Sequence, residues 1–377
     1  MRLLVVDHNA IDPEQRVLYD KLVELGDITL RLVVPSRWFN TYRMATFVPP
    51  SESLPYEVFA SDVLFPTRTH RLIYLSLAQH LRTFKPDVVY INAEPENLQT
   101  FQAARLCALY STPLVFSSWR NIDHRVEGYP YKLEVLHRWI EQYVLQRAVH
   151  GIVFNATAQR IFAGQGYAAT TIIPPAVDTR RFTPRTRARE GKAFVAAYVG
   201  RLVEGKGVDL LIDALAELPA HIRGVIVGNG PKARDLRERA ARRGVAERVE
   251  FRDAVVHESV AHLLPSFDVV VLPSRTMAQW REQFGRILVE AMACGVPVIG
   301  STAGEIPEVI GDAGLVFKEG SVEGLRLGLE RLLADSSLRG DLIERGLRRV
   351  REKFELTQVA RRMHRFFLML GEKAAAR

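Results

Sequence analysis

Short runs of aliphatic and β-branched residues alternate with longer amphipathic stretches along most of the chain, and this rhythm limits the fold more than any other feature. Strand-like runs fall at residues 3–6, 29–34, 87–91, 114–116 and 151–154, with helix-like stretches at 13–25, 69–83, 98–110 and 132–149. Apolar runs of this length, separated by helices, suit strands buried on both faces and joined in parallel. The rhythm breaks at 172–187, I-I-P-P-A-V-D-T-R-R-F-T-P-R-T-R, where three prolines and a basic run bar a helix and favour an extended linker. It then restarts, with strand runs at 193–199, 224–227, 249–251 and 269–272. The chain therefore reads as α/β with two domains, 1–175 and 176–355. Segments 321–337 and 338–370 read as helices with no further strand. Residues 35–66 are aromatic, proline-rich and aperiodic, and are expected to form a long loop.

The densest functional signal is E-Q-F-G-R-I-L-V-E-A-M-A-C-G-V-P-V-I-G-S-T-A-G-E-I-P-E at 282–308. Glu282 and Glu290 stand eight apart around Gly285, which opens an apolar helical run ending at Gly295-Val296-Pro297. Glu282 is expected before the helix N-terminus and Glu290 two turns inside it. The free N–H groups of that first turn make an anion site between the two carboxylates. A solvated helix would explain Glu282, which sits among polar neighbours, but not Glu290 in an apolar V-E-A-M-A context, where an unpartnered carboxylate is costly. Hydroxyls at both ends and phosphate in the middle describe a nucleotide sugar.

Residues 200–207, G-R-L-V-E-G-K-G, follow a strand run and precede a helix. The G-x4-G-K spacing begins a nucleotide-hydrolysing phosphate loop, but that loop needs Ser or Thr after the lysine to hold magnesium, and Gly207 stands there. No apolar strand ends in the aspartate that would share the metal. The phosphate-loop reading is disfavoured. G-N-G-P at 228–231 starts like a dinucleotide fingerprint and fails at Pro231.

The segment 282–308, together with 198–207, I-V-G-N-G-P (226–231), V-V-L-P-S (270–274) and G-E-I-P-E (304–308), resembles the E-x7-E signature and companion motifs of retaining glycosyltransferases of the GT-B class, family 4. The likeness covers most of 175–310; before it, only the strand–helix rhythm is shared. It implies two Rossmann-like domains facing a cleft, with a C-terminal helix, 356–377, crossing back to the first domain. It also implies that Arg201 and Lys206 face the donor diphosphate, where cations neutralise the charge of the leaving group. Glu282 would hold the transferred sugar and Glu290 the ribose hydroxyls. Gly200, Gly228 and Gly230 would lie beside the nucleotide, Val255 beside the base, and the N–H groups of Phe284, Gly285, Arg286 and Ile287 on sugar and phosphate oxygens. The donor is a substrate, UDP- or GDP-linked, and no cofactor is implied.

The chain also departs from that pattern. The loop after the first strand, D-H-N-A-I-D-P (7–13), lacks the usual glycines, leaving Asn9 as its side-chain donor. Trp119 occupies a place often held by histidine, and either stacks on a sugar or simply packs. Glu94 and Glu96 follow a strand end where ligands of open α/β sheets bind, and are either acceptor contacts or part of a solvated loop. No D-x-D occurs in the chain, so a carboxylate-held metal on the diphosphate is not expected and catalysis should be metal-independent. A nucleotide-sugar epimerase and a non-catalytic sugar-nucleotide binder on the same fold are the alternatives.

Composition narrows the setting. The two cysteines, Cys107 and Cys294, sit in apolar contexts and suggest no disulfide framework. The opening M-R-L-L-V-V-D has too short an apolar stretch for a signal peptide, and a cytoplasmic protein is expected. Residues 341–377 carry ten Lys or Arg against five Asp or Glu. No nucleic-acid motif accompanies this charge, which leaves a solvated helix face as the default. If Arg348, Arg349, Arg351, Arg361, Arg362 and Arg365 shared one exposed face, weak peripheral contact with the inner membrane face would be the alternative. The expected acceptor is a glycan, a lipid-linked glycan or a small molecule.

Overall fold

In a computed structural model, the described residues are 1–39, 44–50, 52–129, 131, 133–184 and 193–375, so parts of the expected 35–66 loop and 172–187 linker lie outside them. The chain divides into two compact units, Met1–Pro174 with Leu356–Arg377, and Pro175–Glu355.

The first unit is built on a seven-stranded sheet, in the order Thr170–Ile172, His150–Val153, Leu114–Ser118, Val88–Ile91, Arg2–Val6, Thr29–Pro35 and Glu57–Ser61. Every neighbouring pair is parallel. Leu3, Leu4 and Val5 are fully buried, as a central strand covered on both faces requires. The segment expected as an aperiodic loop instead supplies the edge strand Glu57–Ser61 and the short antiparallel ribbons Arg37–Phe39 with Met44–Thr46 and Val63–Leu64 with Ile73–Tyr74. Edge strands and ribbons bury little, so their sequence shows weak alternation.

The second unit has six parallel strands in the order Val249–Arg252, Ile222–Val227, Phe194–Val199, Val269–Leu272, Val298–Ser301 and Leu315–Phe317. Numbered along the chain this order is 3-2-1-4-5-6, the doubly wound arrangement. The first six strands of the other unit repeat it, so both units are Rossmann-like. The direction of winding reverses between the first and fourth strands. Loops leaving those two strands at their carboxyl ends border the crevice where such sheets hold ligands.

Residues 338–370 do not form one helix. Ser336–Arg349, capped by Asp335 accepting from the Leu338 N–H at 2.8 Å, runs into a π-helical turn, Val350–Phe354, and Glu355 is extended. The last helix, Leu356–Ala375, then packs on the first unit. It buries Val359, Ala360, Met363 and Phe367, with the Phe367 ring 5.6 Å from Tyr90, and His364 Nε2 lies 2.7 Å from the Gly26 carbonyl. The break also divides the basic tail. Arg348, Arg349 and Arg351 stay with the second unit, where Arg349 donates to the Val309 carbonyl at 2.8 Å, while Arg361, Arg362 and Arg365 belong to the first. The six arginines therefore do not line one helix face.

Candidate functional site

In the second unit the strand Phe194–Val199 ends in a tight turn. Gly200 N–H donates to Val227 at 2.9 Å, and the buried Tyr198 hydroxyl donates to the Arg201 carbonyl at 2.7 Å. This turn packs backbone to backbone against the loop holding Gly228 and Gly230. A Cβ on Gly228 would lie 1.8 Å from the Gly200 carbonyl oxygen, and one on Gly230 would lie 2.3 Å from that of Leu202. These glycines let two loops touch, and Lys232 N–H closes the contact on the Leu202 carbonyl at 3.0 Å. Gly207, at φ +62°, begins the helix Val208–Ala216, and a Cβ there would meet the Pro273 carbonyl oxygen at 2.1 Å. No Ser or Thr can stand where a magnesium-holding phosphate loop needs one.

Lys206 and Glu282, 76 positions apart, meet at the carboxyl edge of this sheet. The ammonium donates to Glu282 Oε2 at 2.5 Å and lies 5.2 Å from the Trp280 ring centre. Ser274, fully buried just beyond the strand Val269–Leu272, donates to the same Oε2 at 2.9 Å, and its own carbonyl accepts from Ser301 Oγ at 2.6 Å. Both donors converge on one carboxylate oxygen, leaving Oε1 without a protein donor among the described residues. The Glu282 carbonyl accepts from Glu305 N–H at 3.0 Å, and Gly304 leaves room for that crossing: a Cβ on it would lie 2.1 Å from this oxygen. Glu282, expected to be solvated if taken alone, is 7% exposed.

Three residues later, Gly285 at φ +81° caps the helix Arg286–Ala293, so the N–H groups of Arg286 and Ile287 open its first turn. Phe284 is buried, its ring 5.6 Å from Phe354, and fixes the approach to that turn. Glu290 stands four residues after Arg286, a little over one turn in rather than two, because the helix starts only after Gly285. It is 4% exposed, and its Oε1 lies 2.8 Å from His257 Nε2. The His257 ring centre is 5.6 Å from that of Phe182. Val255 is exposed on the loop leading into His257. Arg201 and Arg286 are exposed, and neither side chain makes a hydrogen bond or salt bridge among the described residues. Thus Lys206 with Glu282 forms one centre and Glu290 with His257 a second.

The first unit gathers a different set at the carboxyl ends of Val88–Ile91 and Leu114–Ser118. Glu94 accepts from Ser118 Oγ at 2.5 Å and from the Trp119 N–H at 2.7 Å. Glu96 is buried, not solvated, and its Oε2 takes a bond from Arg120 at 2.6 Å; the same guanidinium donates to buried Glu141, which also accepts from Tyr129. Burial pushes the Glu94 carboxyl up to about 7, helped by the charge of Glu96. Burial works the same way on Glu96, but Arg120 and then His124 outweigh it and bring that group down to about 2. Burial lowers the Arg120 pKa and is itself outweighed by Glu96 and Glu141, which hold the guanidinium above its ordinary value. Trp119 packs on Phe154 with ring centres 4.2 Å apart. Asn9 stands apart from this network in its bonding: its N–H donates to Asp7 Oδ1 at 2.9 Å in a short turn after the first strand.

Sequence reasoning assigned no role to Ser274 or Arg120, and placed His257 only at the end of the 251–257 loop that the resemblance sets beside the base. Ser274 carried a usable signal, a polar residue two positions after a buried strand that borders the winding reversal. His257 lies 33 positions from Glu290 and Arg120 lies 24 from Glu96, with no local pattern joining either pair.

Residues 179–349 match the family described as glycosyl transferases group 1, and residues 42–181 match Glycosyltransferase Family 4. Sulfoquinovosyl transferase SQD2 of Arabidopsis thaliana is 26% identical over 336 residues, covering 82% of this chain and 63% of that protein. The GDP-mannose-dependent alpha-(1-6)-phosphatidylinositol monomannoside mannosyltransferase of Mycolicibacterium smegmatis is 37% identical over 183 residues, 45% of this chain and 48% of that one. The chain thus spans about half to two thirds of these curated relatives. The crystal structure of Anabaena Alr3699/HepE in complex with UDP shares the fold with a TM-score of 0.74 at 18% identity, covering 98% of this chain and 100% of that one.

Proposed function

We propose, on the premise of two family matches that support a glycosyltransferase of the GT-B class and family 4 type, that this chain transfers a sugar from a nucleoside-diphosphate sugar to an acceptor hydroxyl with retention at the anomeric carbon and without a metal. The observation that carries the reading is the Lys206–Glu282 pair set just before the open first turn of a helix that also bears Glu290. A diphosphate on that turn meets N–H donors and the positive helix end. Glu282 Oε1 accepts from hydroxyls of the sugar, and Glu290 accepts from both ribose hydroxyls. As the bond from the anomeric carbon to the phosphate oxygen breaks, Lys206 and Arg201 neutralise the growing charge on the nucleoside diphosphate. The acceptor oxygen forms its bond to the same face of that carbon, and its proton passes to the departing phosphate oxygen.

The mycobacterial relative is named for a phosphatidylinositol mannoside acceptor, which favours a lipid-linked acceptor here over a soluble one. Incubation with UDP- and GDP-sugars, with and without lipid-linked acceptors, tests the proposal by mass spectrometry and anomeric proton coupling. A product of retained configuration is expected. An isomerised donor without transfer would mark an epimerase, and binding without turnover a sugar-nucleotide binder; either refutes the proposal.

A further inference from the structure

The helix Glu134–Leu145 buries His137, Ile140, Glu141 and Val144 in the first unit. An ordinary surface helix would carry charged residues on the other side. Here the outer face reads Val135, Leu136, Arg138, Trp139 and Gln142, with Val135 83% exposed and Trp139 49%. Leu133, just before the helix, and Val126, in the preceding short helix, are 56% and 81% exposed. Leu133, Val135, Leu136 and Trp139, four large apolar side chains within seven residues, form a patch, and Val126 extends the exposed apolar stretch along the chain, whereas scattered exposed apolars would need no explanation.

An aromatic seam continues this face onto the helix Leu98–Leu109. Phe101 lies 5.2 Å from Trp139 and 4.9 Å from Tyr143, and Leu109 at the far end of that helix is 74% exposed. Two exposed arginines border the seam, each lying over one of its rings: Arg147 over Tyr143 at 3.5 Å and Arg105 over Phe101 at 5.9 Å. A guanidinium held against an aromatic face keeps its charge at the edge of an apolar surface. The acids beside the patch are exposed Glu127 and half-buried Glu134, and Arg138 answers Glu134 at 2.8 Å. Apolar side chains, Trp and Tyr rings and flanking arginines are the composition that sits at the boundary of headgroups and acyl chains.

We propose that this two-helix face of the first unit docks on an anionic lipid surface, with Val126, Leu133, Val135 and Trp139 entering the acyl boundary and Arg105 and Arg147 meeting the headgroups. The proposal deepens the lipid-linked acceptor reading, because it places the first unit where such an acceptor resides. No helix among the described residues is long and apolar enough to cross a membrane, so the attachment is peripheral and salt-sensitive.

The test is sedimentation of the full chain with vesicles of phosphatidylglycerol and phosphatidylcholine, or of phosphatidylcholine alone, alongside the Trp139 emission maximum read against Trp139→Phe. The wild type should pellet with anionic vesicles and shift its emission to the blue. Val126→Asp with Val135→Asp should lower partitioning at least tenfold, since both side chains are largely exposed and the fold does not depend on them. Arg348→Glu with Arg351→Glu should leave partitioning within twofold. Equal pelleting of the Val126/Val135 variant, a wild type that does not pellet, or concentration-dependent dimers abolished by that variant would each overturn the proposal, the last by making the face a protein interface. Nucleoside-diphosphate affinity, read by calorimetry on the same variant, should be unchanged. Its absence in the wild type would sink the transferase reading without touching the vesicle result.

Discussion

Substituting Lys206 by methionine should separate two effects that meet at one ion pair. Glu282 is 7% exposed, and among the described residues its Oε2 rests on two protein donors, Lys206 at 2.5 Å and Ser274 at 2.9 Å. Removing one partner of a buried pair costs about 3–5 kcal/mol, because the other charge is left uncompensated. The remaining Ser274 bond and the partial exposure of Lys206 reduce that to roughly 2–3 kcal/mol. At about 2–4 °C per kcal/mol for a unit of this size, the melting temperature should fall by roughly 4–12 °C. Adding Glu282→Gln to Lys206→Met removes the stranded charge, so the double variant should melt well above the Lys206 single variant. Calorimetry across the four proteins gives the coupling directly. Turnover should stay low in both Lys206 variants, by about 10²–10³, because the cation facing the leaving group is gone in each. A Lys206→Met protein that melts with the wild type and shows no coupling to Glu282 would refute the buried-pair reasoning. Wild-type turnover in the same protein would refute the electrostatic role.

Glu290→Ala should weaken nucleoside-diphosphate binding by about 1–3 kcal/mol, the scale of charged hydrogen bonds, while Glu282→Ala spares that affinity and impairs use of the complete sugar donor; equal calorimetric affinities for wild type and Glu290→Ala would remove the ribose assignment. Chelator should leave the transfer rate nearly intact, and loss of activity restored by magnesium or manganese would overturn metal-free catalysis. The Glu94 carboxyl, raised to about 7 chiefly by burial, holds a proton in the folded state that the unfolded chain has lost, so its contribution is present below about pH 4.5 and fades as pH rises to 7. Glu94→Gln should therefore remove a loss on the order of 1–3 kcal/mol between those pH values, seen as a flatter profile of melting temperature. An unchanged profile would place that proton elsewhere.

Strand–helix alternation was readable because side-chain periodicity is a local property of the backbone. A strand stretch buried on both faces, such as Leu3 to Val6 or Val269–Leu272, must be apolar, and the sequence shows it. The Gly285 start of the signature helix and the absence of Ser or Thr at position 207 were visible for the same reason. Strands with one poorly covered side were not: Glu57–Ser61 and Leu315–Phe317 sit at sheet edges, where burial places little demand on composition. The break at Glu355 was also hidden, since both flanking segments are good helix formers. The chain leaves the helix there so that Val359, Met363 and Phe367 can be buried in the first unit, a gain of about 1.5–3 kcal/mol per large side chain that no local propensity registers. The partners of the carboxylates were decided only by tertiary structure. Glu282 meets Lys206 across 76 positions and Glu290 meets His257 across 33, because the 3-2-1-4-5-6 strand order brings the ends of distant strands to one edge. Glu94 and Glu96, two residues apart, are shifted in opposite directions, Glu94 up by burial and Glu96 down because Arg120, and then His124, outweigh its burial. Residue type and spacing follow from the chain itself, but the strength of a charge depends on what the fold packs beside it.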